Sequence, residues 1–366
     1  MMNRSSLYRV LFVVIAAAMI AVGALAGDYP APVEGEHLLK DFQFASGESL
    51  PELRIHYRTL GTIERDASGT VRNAVLILHG TGGEGGNFLR QRNGKDTFGA
   101  ELFGPGQLLD ATRQFIVLPD GIGHGHSSKP SDGLKGQFPH YGYRDMIAAQ
   151  YQLLTEHFGV NHLRLVIGTS MGGMQAWLWG ELHPEFMDGL VPLASLPTQI
   201  SGRNRMWRRI VMDAVRNDPA WRGGNYDTQP PGVRTAAQVL IFMSGSALTS
   251  QASAPTLAAA DAYLDQGTGG MLRGIDANDL LYAVDASSDY DPGPALEKIR
   301  VPLLAINFAD DLINPPELGI LEREIQRVPK GRAVLIPASE ETVGHGTHTR
   351  AAVWKQHLAD FMQGLD

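Results

Sequence analysis

Ser170 stands in Gly168-Thr169-Ser170-Met171-Gly172, one hydroxyl between two glycines, with Gly173 directly after. The apolar run Leu165–Ile167 leads into it and an apolar helical pattern follows. This is Gly-x-Ser-x-Gly in a strand–turn–helix context, where a tight, strained turn lifts a serine oxygen clear of its neighbours. Glycines at both flanks let such a turn close without side-chain collisions. A hydroxyl so placed is a nucleophile for acyl transfer, provided a base takes its proton and an acid orients the base. In this arrangement the acid follows the serine in the chain and the histidine comes last. Asp310 and Asp311 follow one strand-like run in "LLAINFADDLINPP"; His345 and His348 follow the next in "EETVGHGTHT". His345 is the base favoured by position, because it follows a glycine in the loop, whereas His348 stands at the start of the last helix. Two backbone N–H groups are needed for the oxyanion. Met171, next after the serine, supplies one. Thr81 in "LILHGTGG", freed by Gly80 and Gly82, supplies the other, and His79 reads as structural.

Other chemistries are narrowed by composition. The chain has no cysteine, which removes thiol catalysis, disulfides and cysteine-ligated zinc. The histidine-rich stretch "GIGHGHSSKPS" (121–131), taken with His345-x-x-His348, resembles a metal set, but no Asp/Glu–His spacing of a zinc hydrolase accompanies it. It reads instead as a solvated loop at the edge of the active site, with no metal and no cofactor. The formal net charge is −8 and no basic block stands out, so nucleic acid is not the expected partner.

These residues need a frame. "NAVLILHG", "QFIVLPD", "LRLVIG", "LVPLAS", "VPLLAINF" and "RAVLIPA" are near-continuous apolar runs, as strands covered on both faces should be. Helical patterns such as Arg144–Phe158 and Thr349–Gln363 alternate with them. The alternation predicts an α/β fold with a mostly parallel sheet and helices on both faces. "LRIHYRTLGT" (53–62) alternates more cleanly and predicts an antiparallel edge. Residues 197–294 hold helical patterns but no buried strand. They read as a helical cap inserted over the sheet edge where open α/β sheets bind ligands. The core is then 27–196 and 295–366.

At the N-terminus Arg4 and Arg9 precede an apolar run from Val10 to Leu25 that ends in Ala24-Leu25-Ala26. That order predicts a secretory signal peptide over 1–26, with an uncleaved anchor as the alternative. The expected location is periplasmic or secreted, with no stable membrane association after cleavage.

With these motifs in view, the chain resembles the homoserine O-acetyltransferase family of the α/β-hydrolase superfamily. "RTLGTI", "LFGPGQLLD", "FPHYGYRDMIAAQ", "GTSMGGMQAW", "DPAWRGGNY", "DANDLLYAVDASSDYD" and "FADDLINPPE" each resemble a family block, in family order. The resemblance implies an α/β-hydrolase fold with a helical cap, Ser170 as nucleophile, Asp311 (four residues before Pro315) as acid and His345 as base. It further implies a homodimer built through the cap. Two features depart from the family. Its transferases carry an arginine six residues before the Asp-Pro pair of the first cap helix; here that position is Met212, with Arg208 and Arg209 about one turn earlier. The family's loop after the third strand is replaced by residues 121–131. With the export signal, these departures favour an exported serine hydrolase that cleaves a small-molecule carboxylic ester with water. An O-acyltransferase using acetyl-CoA is the alternative.

Overall fold

The computed structural model describes residues 29–90 and 98–365. The segment expected to be a signal peptide lies outside them. An eight-stranded sheet runs in the order β1-β2-β4-β3-β5-β6-β7-β8. β3 (Ala74–Leu78), β4 (Phe115–Pro119), β5 (Leu165–Thr169), β6 (Leu190–Leu193), β7 (Leu303–Phe308) and β8 (Gly331–Ile336) are parallel. β1 (Val33–Gln43) and β2 (Ser49–Leu60) add on antiparallel.

The apolar runs form strands because both faces of the sheet are covered. Along β3, Ala74, Leu76 and Leu78 enter one core, with Trp177 and Trp179. Val75 and Ile77 enter the other, with Phe98, Phe103 and Trp354. Helices α2 (Tyr143–Gln152) and α3 (Met171–Leu182) cover the first face; α1 (Phe98–Leu102) and the last helix (Ala351–Met362) cover the second. α2 ends in a single π turn, Leu153–His157, so the helix read across Arg144–Phe158 changes pitch near its end.

Two strand expectations need correction. β2 is antiparallel but not the edge, because β1 lies outside it. β1 is mostly exposed and carries Glu34, Glu36 and Lys40, so no apolar run announces it. β8, read as buried, is the opposite edge and only half covered, since no strand pairs beyond it.

Between β6 and β7 the chain builds α4 (Gly202–Arg216), α5 (Gly232–Ser244), α6 (Ala247–Ser253), α7 (Leu257–Leu272) and α8 (Ala277–Asp285). These helices have their own small core around Trp207, Val211, Met212, Val215, Leu281 and Val284. The contacts that tie this cap to the sheet domain include the following three. Asp279 accepts from the backbone N–H and hydroxyl of Ser131 at 2.9 and 2.6 Å. Asp289 accepts from the Tyr143 and Arg144 N–H groups. Gly344, at φ +67°, leaves no room for a side chain: an added Cβ would lie 2.4 Å from the Gly245 carbonyl oxygen.

Candidate active site

The serine turn is strained as its sequence implies. Ser170 lies at φ 55°, ψ −111° between β5 and α3. The glycines around it are there for contact rather than flexibility. A Cβ on Gly168 would sit 1.9 Å from the Gly172 carbonyl oxygen, and one on Gly172 would sit 2.1 Å from the Leu78 oxygen. A Cβ on Gly173 would sit 2.4 Å from the Leu193 oxygen. Three glycines therefore let α3 start directly against β3, β5 and β6. The Ser170 N–H bonds the Leu193 oxygen at 2.9 Å, and the Gly172 N–H bonds the His79 oxygen at 3.0 Å.

The structure brings Ser170, His345 and Asp311 into one line. His345 Nδ1 is 2.8 Å from Asp311 Oδ2, and His345 Nε2 is 2.7 Å from Ser170 Oγ. An ionised carboxylate only accepts, so Nδ1 carries the hydrogen and Nε2 is left to accept from the serine hydroxyl. Asp311 is 1% exposed. Burial works to raise its carboxyl; the facing His345, Asn314 and the Ile313 N–H overcome that and hold it below the usual carboxylate range. Asn314 also donates to the Ala194 carbonyl at 2.8 Å, tying the acid's loop to the end of β6. Asp310 does something different. Its Oδ2 accepts from the Thr342 hydroxyl and from the Gly344 N–H, both at 2.9 Å, and so holds the loop that carries His345. The His348 ring stands 5.3 Å from that of His345, centroid to centroid.

Thr81 and Met171 flank the serine. A Cβ on Gly80 would lie 3.3 Å from Ser170 Cβ, so the Gly80–Thr81 backbone passes directly over the nucleophile. Among the described residues, neither the Thr81 nor the Met171 N–H is bonded to an acceptor. That leaves both for an oxygen developing negative charge.

Beneath this loop lies a buried hub that sequence reasoning missed. Asp120, wholly buried, accepts from the Gly85 N–H at 2.7 Å, the His126 N–H at 2.9 Å, His56 at 2.9 Å and Arg58 at 3.3 Å. Burial pushes its carboxyl up, and the His126 N–H, the neighbouring His79, the Gly85 N–H and Arg58 outweigh burial and lower it. The stretch 121–131 is therefore not the solvated loop expected from its polarity. His124 and Ser127 are buried, and Ser127 bonds the Asp120 carbonyl at 2.7 Å. His79 accepts from the Gly121 N–H at 2.9 Å, and its other ring nitrogen faces the Gly80 carbonyl at 2.9 Å. Burial pulls His79 down and His124 to about 3, so both rings are neutral props of the oxyanion loop. The available signal was an acid after a strand, followed by Gly121, Gly123 and Gly125 at every second position; the last two take positive φ.

On the cap side, Met212 is wholly buried in the cap core and does not face the site. Arg209 is exposed and pairs with Asp213. Arg208 is 3% exposed. It donates to Asn204 Oδ1 at 3.0 Å and to Ser287 Oγ at 3.2 Å, and packs beside the Trp207 ring. Among the described residues no carboxylate pairs with it, and burial lowers its pKa from the usual arginine value. Tyr143 links it to the serine: the buried phenol stands beside both the Arg208 guanidinium and the Thr81 side chain. A cavity of about 480 Å³ opens on the acid's side, lined by Met174, Tyr290, Asn204 and Asp310 among others.

Residues 73–343 match the family model described as alpha/beta hydrolase fold. A probable acyltransferase of Methanothermobacter thermautotrophicus is 30% identical over 89% of this chain and 96% of its own length. A homoserine O-acetyltransferase of Thermobifida fusca is 30% identical over 79% of this chain and 83% of its own. Among solved structures, the homoserine O-acetyltransferase of Bacillus anthracis superposes with a TM-score of 0.78 at 20% identity, covering 91% of this chain and 98% of that one. Esterase E22 superposes with the same TM-score at 19% identity, covering 91% and 100%. At such identities these structures share the fold. An enzyme of this class, with a serine at the elbow between β5 and α3, the chain belongs to the α/β hydrolase fold family, in its homoserine O-acetyltransferase-like branch.

Proposed function

We propose that the protein is an O-acyltransferase of the homoserine O-acetyltransferase type, working through an acyl-enzyme on Ser170. His345 Nε2 takes the Ser170 proton as Oγ attacks the donor's acyl carbonyl. The tetrahedral oxyanion is received by the Thr81 and Met171 N–H groups. Collapse expels the donor's leaving group, which takes the proton from His345, and leaves the acyl group on Ser170. His345 then takes the proton of the acceptor hydroxyl, which attacks the acyl carbon; the second collapse returns the proton to Ser170. Asp311 steadies the imidazolium in each half.

The observation that carries transfer over hydrolysis is Arg208. A buried cation without a carboxylate partner is costly unless a ligand pairs it. Set one turn before Met212 on α4, it supplies the charge that position lacks, toward an acceptor bearing a carboxylate. The relatives of comparable length support the same reading. The export signal favours water as the acceptor, but a carboxylate clamp beside the site has no use in delivering water.

Ester hydrolysis by an exported enzyme is the second reading, favoured by the Arg4–Ala26 segment. The test is acetyl-CoA consumption by the protein lacking residues 1–26, with and without homoserine. Saturable O-acetylhomoserine formation is expected. Arg208→Met should raise the acceptor KM by roughly ten- to a hundredfold, the loss of a charge-assisted pair. Turnover of p-nitrophenyl esters with no response to any carboxylate-bearing alcohol would instead establish the hydrolase. A homodimer through the cap belongs to this proposal. The exposed Met206, Ile210, Phe242 and Leu248 are the surface it would bury, and sedimentation at micromolar concentration reads it directly.

A further inference from the structure

An acyl-enzyme must house its acyl group, and the cavity of about 480 Å³ on the acid's side is placed to do so. Ser170 follows β5, which lies between β3 and β6 in the sheet. The oxyanion donors stand toward β3: Thr81 follows that strand, and the Met171 N–H opens α3. The cavity lies on the other side, between the segment after β6 and the segment after β7. Two of its residues bring it up to the nucleophile. Met174 is one turn of α3 beyond Ser170, its N–H bonded to the Ser170 carbonyl at 2.9 Å. Asp311 is joined to the Ser170 hydroxyl through the single ring of His345.

The wall is mostly apolar, built from Met174, Leu196, Ile200, Ile313, Leu318 and Ile320. Neither acid in it presents charge to the cavity. Asp311 is 1% exposed and turned to His345 and Asn314. Asp310 spends Oδ2 on Thr342 and Gly344, and its Oδ1 is sealed from solvent. An apolar space of this size suits a small organic ligand. A methylene fills roughly 30 Å³, about the share of one water, so an acetyl methyl would leave most of it empty. When Oγ attacks, the carbonyl oxygen turns toward Thr81 and Met171, and the leaving group departs on the side of His345. The acyl chain takes the remaining direction, toward β6. We infer that this cavity binds the alkyl chain of the acyl group, and that the preferred acyl groups are apolar chains of about six to eight carbons rather than acetyl. The inference rests on the acyl-enzyme reading above and deepens it by naming the acyl group; it is the same whether an alcohol or water is the acceptor.

The test is a series of p-nitrophenyl esters, from acetate to dodecanoate, on the protein lacking residues 1–26. From acetate to hexanoate kcat/KM is expected to climb roughly fourfold for each methylene, the gain from moving one out of water into an apolar site, and to stop climbing beyond octanoate. A maximum at acetate would overturn the inference. Longer chains also favour any greasy surface, so the wall itself is tested. Ile200→Trp and Ile320→Trp fill the cavity from the segments after β6 and β7. Each should lower the octanoate-to-acetate ratio of kcat/KM by roughly tenfold or more, the loss of about two buried methylenes. Melting curves show which variants fold, and the two walls are independent if one does not. A folded variant with the wild-type ratio would place the chain elsewhere and overturn the inference. Mass spectrometry of Ser170 separates the two levels of the reading. Acetylation with no gain from longer chains sinks the inference alone, whereas no acylation by any ester sinks the acyl-enzyme with it.

Discussion

At the residue scale the reactive group is one hydroxyl held by strain. Ser170→Ala is expected to leave a folded protein that forms no acyl-enzyme, with kcat down on the order of 10³-fold or more, measured by trapping with a p-nitrophenyl ester. The two neighbouring aspartates should behave differently. Asp311→Asn removes the charge that sets the His345 tautomer and should cost about 10⁴-fold in kcat. Asp310→Asn keeps an acceptor for the Thr342 hydroxyl or the Gly344 N–H and should cost at most about tenfold, the range of one ordinary hydrogen bond. Comparable losses from both would show that loop placement and ring orientation cannot be separated. Asp311 also bears on acid stability. Its folded pKa is lowered, so its stabilisation is complete above the ordinary carboxylate value near ~3.9 and is lost as pH falls through the folded value. Ser170, Asp311 and His345 were legible because Ser170 lies in Gly-x-Ser-x-Gly at the end of a strand, Asp311 closely follows the next acid-ended strand, His345 lies between two glycines in the loop after the last strand, and their order in the chain matches a known logic. Arg208 was visible only as one of two arginines a turn before Met212; that it is buried, with no carboxylate beside it among the described residues, leaves no trace in a sequence.

At the element scale, apolar runs reported the five inner parallel strands, β3 to β7, well, because both faces of each are buried. They reported the edges poorly: β1 is charged and mostly exposed, and β8 is covered on one side only. The stretch 121–131 misled because its polar side chains are turned inward onto the backbone around Asp120, where polarity signals burial with partners rather than water. The same stretch meets α8 through Ser131 and Asp279. Burial pushes the Asp279 carboxyl up to about 6, against the two Ser131 bonds and Lys129, with Asp276 adding to the rise. An acid raised in the folded state adds stability below its ordinary pKa and gives it up as pH climbs through the folded one. Asp279→Asn keeps an acceptor for the Ser131 N–H. It should therefore flatten the decline in melting temperature between about pH 4 and about pH 6. Parallel wild-type and variant curves across that range would show that Asp279 titrates normally.

At the scale of the whole molecule, the chain is a sheet domain with a helical cap, and the proposed location outside the cytoplasm rests on its first residues. If export occurs, expression of the full chain in a bacterial host should release a protein whose mass begins at Gly27; an intact N-terminus in the membrane fraction would favour the anchor. The cap's presence was readable from the absence of strands over 197–294, but not its grip on the core, where the Asp279 and Asp289 carboxylates bond main-chain N–H groups that no side-chain pattern reports. Gly344 and Gly245 have a consequence for how such enzymes diversify. The residue before the catalytic histidine is wedged against a main-chain carbonyl of the cap. A cap grafted from a relative would carry its own backbone course there, and unless that course repeated the one at Gly245, the histidine would lose a wall. Exchanging the whole cap is therefore expected to disturb the His345 loop more than changing side chains on α4 would.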